Sequence, residues 1–268
     1  MEFNLTKKQI QRTGQWLTPP PDGNTICYEE PLHHAILPGL MQALNDTKWP
    51  YQFHGYFYQL KTNYGLIQEE VPASEYYKIA HRAMLQKYHA ATLTLQFIES
   101  LISDLAKKYP EVRKTIGKTN QPKLNFNLEL YNLRSSFASL LFLQRSLLDE
   151  FSSLVQFLSG PKSKQFSSFA DLMSKCKGSN PPNEVPPELQ VHMRDHSNWF
   201  WRMRDIRDYI AHHGFVHFHL VESSNGELRF YIHHRLDMLE LAQEFMVGLN
   251  DMLAKIDFAY TKRIKCFV

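Results

Sequence analysis

Arg207 and His212 are the two residues whose types and setting most suggest chemistry in this sequence. Arg207 interrupts an apolar seam, Leu189, Met193, His196, Phe200, Met203, Arg207 and Ile210, which recurs at three- and four-residue steps. A guanidinium keeps its proton, so a poorly solvated Arg207 needs an anion: Asp205, Asp208 or a ligand phosphate. His212 follows five residues later, in the last turn before Gly214, where exposed helix carbonyls favour a cation. Asp208 stands four residues before His212 and could hydrogen-bond the ring and orient it. Arginine to neutralise charge building on phosphoryl oxygens, histidine to exchange a proton with a ribose hydroxyl, and an orienting acid are parts for metal-free phosphodiester cleavage. On an ideal helix Arg207 and His212 are about 140° apart, so one rigid helix does not aim both at one atom. Either the helix distorts before Gly214, or two copies meet and build a composite site.

Long helices must position these residues. From Ser74 to Tyr109 there is no glycine or proline, and Pro110 is predicted to stop the helix. Ala80, Met84, Ala91, Leu95, Ile98, Ile102, Leu105 and Tyr109 share one face. A second helix is predicted over Asn125 to Ser159, halted by Gly160-Pro161, with the seam Phe126, Leu130, Leu133, Phe137, Leu140, Gln144, Leu147, Phe151, Leu154 and Leu158. Leu141, Leu148 and Val155 widen that stripe, as a helix with several neighbours requires. Residues 160 to 187 read as a mobile, lysine-, serine- and proline-rich connection. A third helix is predicted from Pro187 to a glycine cap at Gly214.

A β-hairpin follows, with Phe215 to Val221 pairing Leu228 to His233 across an Asn225-Gly226 turn. Val216, Phe218, Leu220, Leu228, Phe230 and Ile232 form its apolar face, and His217, His219, Arg229, Tyr231 and His233 the other. A last helix covers Leu236 to Phe258. Residues 1–72 form a less legible region predicted to pack on the bundle. It includes a short helix over Pro31 to Leu44 and an extended stretch over Tyr51 to Leu66. The fold class is mainly α: an antiparallel bundle of long helices over 73–268, carrying the small hairpin at 215–233.

Composition narrows the function. A chain of 268 residues with 43% apolar and 21% charged residues is ordinary for a globular protein. The three cysteines, Cys27, Cys176 and Cys266, are widely spaced, which fits a reducing, cytoplasmic setting without disulfides. The start of the chain lacks a signal-peptide core, and no apolar run is long enough to span a membrane. A net charge of +3 does not by itself argue for nucleic acid. Eight of the thirteen histidines lie between His192 and His234. His192 and His196 are spaced to share a metal on a helix, but no H-E-x-x-H occurs and neither a metal nor a cofactor is predicted. The Trp199-Phe200-Trp201 run could stack on bases, although helical aromatics more often fill a core. No glycine-rich phosphate loop, G-x-S-x-G elbow or kinase signature is present.

The segment Arg207-Asp208-Tyr209-Ile210-Ala211-His212 resembles the R-x4-H motif of the HEPN superfamily, where a polar residue often follows the arginine. Its position near the end of a late helix, after long helices, is similar too. The resemblance implies a helical bundle, a homodimer whose two motifs face one cleft, and metal-independent endoribonuclease activity in a toxin or antiviral-defence effector. It would make Arg207 and His212 catalytic with Asp208 in support, and RNA the partner, an inhibitory protein restraining the activity. Arg204, His213, His217, His219 and Arg229 are the basic residues placed to help bind RNA. The alternative is a non-catalytic HEPN-like module that dimerises or binds a nucleotide or protein partner, with Arg207 paired to an acid and His212 capping the helix.

Overall fold

The computed structural model describes residues 37–46, 60–62, 65–67, 73–116, 127–159, 166–222, 228–233 and 235–265. Within them the chain forms α1 (Pro38–Asp46), β1 (Leu60–Thr62), β2 (Gly65–Ile67), α2 (Ala73–Ile116), α3 (Asn127–Ser159), α4 (Phe169–Lys177), α5 (Pro187–Asp195), α6 (Asn198–His213), β3 (Phe218–Glu222), β4 (Leu228–Ile232), β5 (Leu236–Asp237) and α7 (Met238–Lys265). The class is mainly α, as the periodicity predicted. The Asn225-Gly226 turn lies outside the described residues.

The long helices α2 and α3 pair antiparallel because each presents a continuous apolar stripe. Met84, Ala91, Ile98 and Leu105 are buried on α2, and Leu133, Phe137, Leu140, Leu147, Phe151 and Leu154 on α3. Two ion pairs fit one antiparallel register: Lys87 to Glu150 at 2.7 Å and Lys108 to Glu129 at 3.0 Å. Pro110 does not end α2, which continues to Ile116. A proline removes a single N–H from the ladder, and next to it Tyr109 is held by its hydroxyl donating to Glu222 at 3.1 Å.

Two further expectations are corrected. The connection after α3 is not a simple loop: Phe169, Leu172, Met173 and Cys176 of α4 are buried. Ser168 caps this helix by accepting from the Asp171 N–H. These four apolar residues and the buried Ala170, among lysines and serines, were enough to dock a nine-residue helix. Burial pushes the Cys176 thiol up to about 12, so it behaves as a small hydrophobe. The helix predicted from Pro187 to Gly214 is two helices, α5 and α6, broken at His196 and Ser197. Leu189, Met193, Phe200, Met203 and Ile210 all stay buried across the break, while His196 turns out to solvent. Periodicity alone bridged the gap: α5 closes with the His196 N–H donating to the His192 carbonyl, and α6 starts anew with the Ser197 carbonyl accepting from the Phe200 N–H, while the apolar spacing continues on both sides.

Gly214 ends α6 with φ 82°, the left-handed cap that glycine adopts without steric cost. The hairpin pairs Phe218 with Ile232, Leu220 with Phe230 and Glu222 with Leu228, and β5 adds a third, short strand. Leu228, Phe230 and Ile232 are buried, as the alternation predicted. The last helix runs past the predicted end to Lys265. Asp257 on α7 accepts from the Gly39 and Leu40 N–H groups at 3.1 and 2.7 Å, so a carboxylate satisfies the open N-terminus of α1. In this way part of the N-terminal region packs on the bundle.

Gly248 of α7 lies directly against the Trp199 ring of α6. A Cβ there would fall 2.4 Å from the Trp199 ring, which is itself 8% exposed. Gly248→Ala is expected to destabilise the fold by about 1–3 kcal/mol through overpacking, outweighing a helix-propensity gain of about 1 kcal/mol. A lower urea midpoint would establish it. An unchanged or higher midpoint would mean that Trp199 moves aside freely.

Two buried histidines make stability depend on pH. Burial holds the His192 imidazole below its ordinary value, with Asp251 opposing, and burial does the same to His81. The unfolded chain therefore binds protons at pH values where the folded chain does not. Stability present above about pH 6.5 should fall as pH drops toward the lower folded values. The urea midpoint is expected to decrease from pH 7.5 to 5.5, and His192→Gln to flatten the slope. A slope identical in that variant would assign the effect elsewhere.

Candidate functional site

Helix α6 carries the motif because it must cover α3, α4 and α7 with one face. Phe200, Met203 and Ile210 are buried, and Phe200 meets Phe169 of α4 edge to face at 5.1 Å. Trp199 and Phe200 are core residues, not an exposed stacking surface. Arg207 lies on the shoulder of this face, where α6 approaches α3. Its side chain is 22% exposed, its guanidinium sits 5.8 Å over the Phe142 ring, and its Nε has no hydrogen-bond partner.

Asp208 is the acid that Arg207 demanded. Its Oδ1 lies 2.8 Å from Arg207 Nη1, and its other oxygen lies 3.4 Å from Arg204 Nε. One carboxylate thus shares two guanidinium groups at a partly exposed position, where the pairing is worth little. His212 is exposed one turn further on and makes no ion pair with Asp208. The helix stays regular to His213, so it does not distort to bring His212 beside Arg207.

The end of α6 gathers aromatic and imidazole rings instead. His213 lies against Tyr209 at 4.4 Å, and His233 of the hairpin meets the same tyrosine at 5.3 Å. His217 is exposed beside Phe215, and His219 is half-buried on β3. Arg229 is paired with acids of β5 and α7, 3.2 Å from Glu240 and 3.9 Å from Asp237. His192 and His196 stack at 5.1 Å. No group of three metal-ligating side chains occurs among the described residues.

A second arginine stands near Arg207. A cavity of about 410 Å³ opens between α3, α6 and the segment before α4, lined by Arg145, Arg207, Phe142, Asp149, Glu150 and four serines, 146, 152, 153 and 167. Arg145 is 7% exposed, and its guanidinium sits 5.3 Å over the Phe200 ring. Its Nη2 lies 3.1 Å from Asp149, while Nε and Nη1 have no hydrogen-bond partner. Burial pulls this guanidinium below arginine's ordinary range; Asp149 opposes that, and the like charges of Arg207 and Arg204 add to it. Sequence reasoning missed Arg145, although the signal that exposed Arg207 was there too. The stripe Leu141, Arg145, Leu148, Ser152, Val155 recurs at the same helical steps and carries a cation in its interior.

No family model matches this chain, and comparison with curated proteins and with solved structures finds none that matches. Among the described residues no helix is long and apolar enough to cross a membrane.

Proposed function

We propose that this protein is a metal-independent endoribonuclease of HEPN type, acting as a homodimer on cytoplasmic RNA and restrained by an inhibitory partner, in the manner of a toxin or antiviral effector. One observation carries the reading. Arg207 opens onto a cavity beside a second, buried arginine, and so it is available to an anion. His212 is exposed on the same helix, with its ring free for a partner. In the reaction His212 takes the proton of a ribose 2′-hydroxyl, whose oxygen attacks the adjoining phosphorus. Arg207 neutralises the charge that gathers on the phosphoryl oxygens. The 5′-oxygen leaves and takes up a proton from water, while the His212 imidazolium returns its proton to solvent, giving a 2′,3′-cyclic phosphate and a 5′-hydroxyl. Because the two residues diverge around one helix, the site needs Arg207 of one copy and His212 of another.

The non-catalytic module is favoured by a different observation: Asp208 already occupies Arg207, and His212 does not line the cavity. Incubating the chain with single-stranded RNA in EDTA separates the two. Cleavage that Arg207→Ala and His212→Ala both abolish supports the nuclease. Intact RNA, or cleavage by both variants equal to that of the unaltered chain, counts against the nuclease and leaves the binding module.

A further inference from the structure

Burying a guanidinium removes its hydration, and only an anion, hydrogen-bond acceptors or an aromatic face can replace it. Arg145 meets part of this need through Phe200 and Asp149, yet two of its three nitrogens have no partner. The two acids of the cavity wall are already engaged. Asp149 Oδ1 accepts from the Phe169 N–H at 2.9 Å as well as pairing with Arg145, and Glu150 is held by Lys87. The unsatisfied groups on this wall are therefore donors: Arg145 Nε and Nη1 and Arg207 Nε. The wall that adjoins them is built from small hydroxyl residues, which leave room and can hydrogen-bond an oxyanion.

We propose that the cavity between α3 and α6 is a phosphate-ester site in which Arg145 and Arg207 jointly hold the oxyanion, with Ser146 and Ser153 beside it. A tetrahedral dianion or diester suits the planar guanidinium fork, which can give paired donors to two oxygens. Its charge would also relieve the repulsion between two arginines held close in a poorly hydrated place. The inference rests on the phosphate-handling role given to Arg207, and it assigns Arg145 as a positioning group for the bound strand or nucleotide.

Binding, measured apart from turnover, tests it. Titration calorimetry of the full chain would use inorganic phosphate, AMP and a twelve-residue RNA made uncleavable by 2′-O-methyl substitution. Saturable binding of AMP or the oligonucleotide is expected, weakened about 10-fold or more by Arg145→Gln, as loss of a charge-assisted contact implies. Should Arg145→Gln fail to fold, Ser153→Glu decides, because it puts a carboxylate into the cavity at a half-exposed position. Tighter binding of RNA than of AMP would identify a strand phosphate, and equal binding a mononucleotide; both support the site. No binding of any probe, or binding untouched by both folded variants, would overturn it. Neither result depends on cleavage, so the nuclease reading and this site can fail separately.

Discussion

Alanine at His212 or Arg207 is expected to lower RNA cleavage by about 10²- to 10⁴-fold, the usual range for losing a proton-transfer group or a charge-stabilising donor. The fold should persist in both variants. His212 is exposed, and removing Arg207 leaves Asp208 paired with Arg204. Circular dichroism and urea midpoints near those of the unaltered chain would separate lost chemistry from lost structure. The composite geometry adds a sharper expectation. When the two inactive variants are mixed and allowed to exchange subunits, half of the dimers are mixed and carry one intact site of two, so about a quarter of the activity returns. Recovery at that level requires Arg207 and His212 from different copies. No recovery would place both in one chain, against the regular course of α6.

Phe200→Ala is expected to cost about 3–5 kcal/mol, the range for emptying a buried aromatic site. Phe200 is fully buried and joins α6 to α4 through Phe169, so several elements lose packing at once. The effect should exceed simple cavity formation, because the ring also lies beneath the Arg145 guanidinium. Phe200→Leu refills most of the volume but not the aromatic face. Its urea midpoint should fall between those of alanine and the original residue. A midpoint for Phe200→Ala within experimental error of the unaltered chain would show that α6 is not anchored there, and the cavity wall would lose its support.

Helix periodicity made most of the architecture legible because the stripes are long. The seam of α3 from Leu133 to Leu158 is buried almost without exception. The hairpin face of Leu228, Phe230 and Ile232 was equally clear from strict alternation. What escaped reading was local. Helix α4 is short and set among lysines and serines, so its five buried residues gave no sustained period. The break at Ser197 left the spacing of apolar residues intact on both sides and was therefore invisible to periodicity.

The candidate site was legible in part, for the same physical reasons. Arg207 could be found because a charge stood where the stripe called for an aliphatic residue. Proximity left Asp205, Asp208 and a ligand phosphate as its possible anions, and Asp208 is the acid that pairs with it, at 2.8 Å. Its expected contact with His212 does not form, since two arginines compete for the carboxylate. Arg145 belongs to a separate helix, 62 positions away, and only folding brings it to the same cavity.

The most direct test of Arg207 and His212 as the catalytic pair is the product left by the unaltered chain acting on a labelled single-stranded RNA in excess EDTA, beside a DNA of the same sequence. The account predicts RNA fragments ending in 2′,3′-cyclic phosphate and an untouched DNA strand, because only RNA offers the hydroxyl that the imidazole deprotonates. RNA that stays intact at stoichiometric protein, or DNA cut equally well, would contradict it.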